Sequence, residues 1–190
     1  WNWCKKNSFI NMKGPLFYSK ILLFGEYGII EDSKGLSIPY NFFNGALKFS
    51  KGETEDSKKS NKILQKFQRY LAEIHDLHLD LNKFENDLNK GIYFDSSIPQ
   101  GYGVGSSGAI VAAVYDKYAL NKIKVSENLN RNKLLDLRNI FSQMESFFHG
   151  KSSGLDPLNS YLSIPILIES KNKIGVTGIP IEKVNGEGAI

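Results

Sequence analysis

Pro99-Gln100-Gly101-Tyr102-Gly103-Val104-Gly105-Ser106-Ser107-Gly108 stands between a strand-like and a helix-like segment, and its reading decides the fold. Three alternating glycines let backbone amides come close to a ligand. The helix that follows adds unpaired N–H groups and the positive end of its dipole. Together these make an anion site, most naturally for phosphate. A hydroxyl such as Ser107 at the helix start can also hold a magnesium ion. On its own, the same segment is compatible with an ordinary glycine-rich turn.

Two other patterns compete for this stretch. Gly103-Val104-Gly105-Ser106-Ser107-Gly108 satisfies the dinucleotide fingerprint G-x-G-x-x-G. That turn should follow its strand at once, whereas Ser96 to Gln100 intervene and Pro99 cannot donate to a ladder. The G-x-x-x-x-G-K-[ST] loop fails because no lysine follows the last glycine. A further decoy, Gly150-Lys151-Ser152-Ser153-Gly154, matches the hydrolase elbow G-x-S-x-G. It follows a helix rather than a strand, and His75, His78 and His149 all precede it, against the chain order that elbow requires. His75 and His78, one turn apart near a helix end, read as surface residues rather than a metal site.

Working outward, Ile21 to Phe24 is a short apolar strand run, and Phe42 to Phe49 reads as further strand. Ser50 to Asn61 is polar and reads as an exposed loop. Ile63, Leu64, Phe67, Tyr70, Leu71 and Ile74 recur at helical spacing. After a second polar stretch, Ile92-Tyr93-Phe94 suits a strand. Ser106 or Ser107 can cap a helix running to about Leu120. Leu134, Leu137, Phe141, Met144 and Phe148 mark another, ended by Gly150. Tyr161 to Glu169 and Ile174 to Ile181 read as strands. Interspersed helices and strands make the class α/β or α+β.

Composition narrows the partners. The chain has 190 residues, 41% hydrophobic and 12% aromatic, which excludes disorder, and it has no apolar run long enough for a membrane span. Its net charge of +4 reflects 24 Lys and Arg against 20 Asp and Glu, without a block that reads as a nucleic-acid arm. The single cysteine, Cys4, excludes an internal disulfide framework and fits a reducing compartment. Residues 1–11 hold both tryptophans and that cysteine. Ahead of Met12-Lys13-Gly14, they read as an upstream or non-native extension.

Three segments in order resemble the GHMP kinase superfamily, and within it the mevalonate kinase branch most closely. Lys20-Ile21-Leu22-Leu23-Phe24-Gly25-Glu26-Tyr27-Gly28 is similar to the family's opening Lys-strand-Gly-Glu motif. Pro99 to Ala109 is similar to its P-x-G-x-G-L-G-S-S-A-A signature. Glu145-Ser146-Phe147-Phe148-His149-Gly150-Lys151-Ser152-Ser153-Gly154-Leu155-Asp156 looks like the segment that distinguishes mevalonate kinases from homoserine kinase-like members.

The resemblance implies the superfamily's α+β N-terminal domain, of ribosomal protein S5 domain 2-like topology, over residues 12–170. Residues 171–190 would begin a ferredoxin-like C-terminal domain that is largely missing, with its late glycine-rich motif. The chain alone is therefore expected to carry the motifs without the activity. By carry-over, Pro99, Gly101, Gly103, Val104, Gly105, Ser106, Ser107 and Gly108 would wrap the ATP phosphates. Ser107 and Glu145 would ligate Mg²⁺. Asp156 would take the proton of the attacking hydroxyl, beside the positive charge of Lys20. Glu26 and His149 would shape the substrate pocket.

The implied protein is a cytoplasmic ATP- and Mg²⁺-dependent kinase for a small alcohol in isoprenoid precursor synthesis, with no nucleic-acid or membrane partner and a homodimer left open. Alternatives are another acceptor (phosphomevalonate, a sugar or homoserine), a dinucleotide-binding oxidoreductase, or a non-catalytic ligand-binding regulator. Departures from the family pattern are Tyr27 for a frequent His, Lys151-Ser152 for Asn-Pro, Gly108 for Ala and Val104 for Leu.

Overall fold

The computed structural model describes residues 15–25, 34–50, 52, 54–124, 129–170 and 173–176. In chain order the elements are β1 (Phe17–Phe24), β2 (Gly35–Phe49), α1 (Glu55–Glu73), α2 (Leu81–Asn89), β3 (Ile92–Ser96), α3 (Ser106–Tyr118), α4 (Arg131–His149), α5 (Leu155–Leu162), β4 (Ile166–Ser170) and β5 (Lys173–Val176). The strands form one five-stranded sheet, and every pairing among them is antiparallel. A dinucleotide-binding turn belongs to a parallel sheet, so the oxidoreductase reading fails on topology.

Strand β2 is the spine. Gly45 pairs with Phe17 of β1 and with Ser96 of β3, while Ser37 pairs with Leu22 of β1 and Ile166 of β4. Thus β1 runs along one edge of β2, and β3 and β4 occupy opposite ends of the other. Between Tyr18↔Asn44 and Ser19↔Tyr40 the register jumps, leaving Asn41, Phe42 and Phe43 as extra residues on β2. Pro39 is tolerated mid-strand because its partner Lys20 turns its own N–H away, onto the Val104 carbonyl at 3.0 Å.

Helix α3 is the buried centre. Val111, Ala112, Ala113, Val114 and Tyr118 are all nearly inaccessible, as expected of a helix that is apolar on every side. It packs on β1 and β2, with α5, α4 and α2 against it. Phe67 of α1 meets Phe147 and Phe148 of α4, with ring centroids 5.2 and 5.4 Å away.

The structure departs from the sequence reading at four places. Helix α3 is capped by Gly105, with no side-chain cap hydrogen bond, rather than by Ser106 or Ser107. Helix α1 starts at Glu55, inside the stretch read as a loop. Thr54 and Ser57 close a capping box, and Glu55 and Asp56 favour the positive end of the helix. The second polar stretch contains α2, capped by Asp80 onto the Lys83 N–H at 2.9 Å. Tyr161, read as strand, belongs to α5, where its ring stands edge-on to Tyr115 and Phe141. The strand itself starts at Ile166.

Candidate active site

Four elements converge on one cleft. Strand β1 brings Lys20, the start of α3 brings Ser107, the end of α4 brings Glu145 and His149, and the first turn of α5 brings Asp156. Lys20 Nζ lies 3.1 Å from Asp156 Oδ1, with the lysine largely sheltered and the carboxylate partly open. Ser107 Oγ donates to Glu145 Oε1 at 3.0 Å and lies 2.9 Å from His149 Nε2. Since a serine has one proton, His149 is the donor in the second contact whenever Ser107 donates to Glu145. Glu26 lies outside the described residues, as does Tyr27.

Backbone geometry sets these distances. Gly105 caps α3 in the left-handed region at φ 82°, and a side chain there would start 3.0 Å from Lys20 Cγ. Gly108, where the family usually has Ala, faces the α5 backbone. A Cβ would lie 2.7 Å from the Asp156 carbonyl carbon, so the missing methyl lets α5 seat Asp156 against α3. Gly154 caps α5 at φ 72°, and a Cβ would lie 2.2 Å from the Arg138 carbonyl oxygen of α4. Ser160, one turn further along α5, donates to the Tyr18 carbonyl at 2.8 Å and ties α5 back to β1.

The glycine loop walls a cavity of about 640 Å³. Gly101, Gly103, Val104, Gly105, Ser106, Ser107 and Asp156 line it together with Ile63 and Lys66 of α1 and Phe147, Phe148 and His149 of α4. A lining of glycine-rich backbone and helix start combined with apolar and aromatic side chains suits a ligand with an anionic end and a flat apolar end.

Glu145 is 3% exposed, and its carboxyl is pushed up to about 7. Burial is the main cause, and the nearby Asp156 charge adds to it. Hydrogen bonds from Ser152 and Ser107 and the charge of Lys20 work in the opposite direction. A buried carboxylate with this little cationic support fits a divalent cation beside it. The ligating set would be all oxygen, Glu145 Oε1 and Ser107 Oγ, which suits Mg²⁺. Among the described residues no cluster of three His, Cys, Asp or Glu could hold a metal unaided.

Residues 62–163 match the family model described as the GHMP kinases N terminal domain. The chain belongs to the GHMP kinase family. The matched span runs from α1 through α5 and is a mixed α+β domain, containing the glycine loop, Glu145 and Asp156. No curated protein matches the sequence. Among solved structures, the chain is similar to a mevalonate kinase at 19% identity and TM-score 0.48, covering 84% of this chain and 54% of that one. It is also similar to the Methanococcus jannaschii mevalonate kinase at 17% identity and TM-score 0.49, covering 87% and 56%. The mevalonate kinase of methicillin-resistant Staphylococcus aureus is similar at 18% identity and TM-score 0.46, covering 86% and 54%. The chain thus spans about half the length of these structures. No helix among the described residues is long and apolar enough to cross a membrane.

Sequence reasoning passed over part of the cleft. Phe147 and Phe148 were legible only as packing residues, although they flank His149 inside a motif. Lys66 carried no signal beyond an exposed position on an amphipathic helix. Ser152 looked like a mere departure from the family pattern, yet its hydroxyl donates to Glu145 Oε2. The same bond disposes of the hydrolase elbow, because the serine at its centre serves a glutamate and no strand precedes it.

Proposed function

We propose that this protein is an ATP- and Mg²⁺-dependent kinase that phosphorylates a small-molecule alcohol, with mevalonate the leading acceptor. One observation carries the reading. Lys20 pairs with Asp156 and Ser107 with Glu145, four residues brought from four elements, and Ser107 and Asp156 line the cavity walled by the glycine loop. A non-catalytic regulator on the same fold needs no proton acceptor, the role proposed for Asp156 beside Lys20.

Phosphoryl transfer calls for positioning and charge neutralisation more than for covalent help. Amides from Gly103 to Gly108 and the start of α3 hold the phosphates. Ser107 and Glu145 hold the metal, and Mg²⁺, when bound, neutralises charge on the phosphoryl oxygens. Asp156 takes the proton of the attacking hydroxyl, and Lys20 stabilises the oxygen that loses it. His149, on Ser107, helps shape the acceptor side; Glu26 has that role by resemblance alone. Phe147, Phe148 and Ile63 offer the base an apolar wall away from water. The family match supports a kinase, and the third sequence motif supports mevalonate over homoserine.

The test is ATP consumption, by a version of the protein spanning the full length of a mevalonate kinase, with mevalonate, phosphomevalonate, homoserine or a sugar as acceptor, with and without Mg²⁺. ATP consumption without an acceptor or without Mg²⁺ would sink the reading. The nucleotide half is measurable on this chain alone. Gly105→Val forces a β-branched residue into the left-handed region, at about 1–3 kcal/mol, and crowds Lys20. Calorimetry should show Mg²⁺-ATP bound about tenfold or more weakly by this variant; unchanged affinity would remove the loop from the nucleotide site.

A further inference from the structure

We infer that Ser152 is a positioning residue for Glu145, fixing the carboxylate so that a single oxygen, Oε1, faces the metal position beside Ser107. The inference rests on the kinase reading and extends it to a residue at which the chain departs from its family, where Pro is common.

The hydroxyl of Ser152 has no freedom to turn. Its oxygen accepts from the Gly154 N–H at 3.0 Å, and its proton goes to Glu145 Oε2. The backbone around it is docked on α4. Ser142 Oγ donates to the Ser152 carbonyl at 2.6 Å, and Arg138 Nε donates to the Ser153 carbonyl at 3.0 Å. A donor held from both sides therefore meets Oε2, while Oε1 accepts from Ser107. The carboxylate cannot rotate about its last bond without breaking both contacts. Moreover, Gly154 caps the helix that carries Asp156, so one hydroxyl connects the candidate metal ligand to the segment bearing the candidate base.

The consequence is a choice of cation. Mg²⁺ demands near-ideal octahedral geometry and is served by a carboxylate that offers one oxygen. Ca²⁺ is larger and accepts a bidentate carboxylate readily. Freeing Oε2 therefore harms Mg²⁺ more than Ca²⁺. Loss of a hydrogen bond that orients a metal ligand typically costs 10–100-fold in metal affinity.

The experiment measures ATP binding to this chain while Mg²⁺ or Ca²⁺ is titrated, for the wild type, Ser152→Ala and Ser152→Thr, with thermal midpoints recorded alongside. Ser152→Ala should raise the Mg²⁺ concentration for half-maximal ATP binding by about tenfold or more. It should raise the Ca²⁺ concentration by less, leave metal-free ATP binding unchanged, and be restored by Ser152→Thr. Equal losses for both cations, or no loss for either, would overturn the proposal. So would a thermal midpoint that falls in both variants together with metal-free ATP binding. If the wild type binds ATP no better with Mg²⁺ than without, the kinase reading itself fails. If the wild type depends on Mg²⁺ and Ser152→Ala keeps that dependence, only the role of Ser152 is lost.

Discussion

Replacing Asp156 by alanine lowers acceptor-dependent ATP consumption by about 10³-fold while leaving Mg²⁺-ATP affinity within a few-fold of wild type. The size follows from what a positioned proton acceptor contributes, roughly 10²–10⁴. The selectivity follows from geometry. Asp156 lines the cavity against Lys20, whereas in the proposed reading the nucleotide is gripped by main-chain groups of the glycine loop that the substitution does not touch. Asp156→Asn removes the base with less change of packing against Gly108 and separates the chemical effect from a seating effect. Steady-state assays with mevalonate on the full-length version, paired with calorimetric ATP binding, make the comparison. Turnover within a few-fold of wild type in both variants would show that another group takes the proton.

The second large effect concerns Glu145 in the metal-free chain. Its carboxyl is raised from an ordinary value of 4.5 to about 7, so the folded state holds the proton more tightly than the unfolded state. Stability from this group is then fully present below about pH 4.5 and is lost as pH rises through about 7. At pH 8 the buried charge costs the fold about 3 kcal/mol relative to the neutral form. Glu145→Gln removes that charge at nearly constant shape. It should stabilise the metal-free chain at pH 8 by about 1–3 kcal/mol and flatten the pH dependence between pH 5 and 8. The same substitution should remove most of the extra stabilisation that Mg²⁺ adds to that of ATP alone, because the ionised carboxylate is the charged ligand offered to the metal. Urea denaturation at several pH values measures both. A variant no more stable than wild type at pH 8 would show that water or a side-chain shift already relieves the charge.

Much of the fold could be read from periodicity, and the misses have physical causes. Ile63 to Ile74 announced α1 through its apolar face, but its first turn was hidden because Thr54, Glu55 and Ser57 stabilise a helix end by capping rather than by burial. Helix α5 was hidden for a different reason. Leu155 to Leu162 is only eight residues long with Pro157 in its first turn, and its last residues, Tyr161 and Leu162, run on towards the apolar stretch of β4. In the candidate site, Lys20, Ser107, Glu145 and Asp156 were legible because their spacing within motifs is local. What the sequence could not express is the tertiary detail. The Ser152 hydroxyl reaching Glu145 depends on how the turn after α4 folds back. The closeness of α5 to α3 depends on a methyl group that Gly108 lacks.

The hydrogen bond from the Lys20 N–H to the Val104 carbonyl joins the strand bearing the cleft's cation to the loop proposed to grip phosphate. It is a main-chain link, indifferent to side-chain identity at either end. The span between the two reactants is therefore built into the scaffold. Substitutions can retune what is held on either side without disturbing alignment, and one such frame could pass among many alcohols with its transfer distance unchanged.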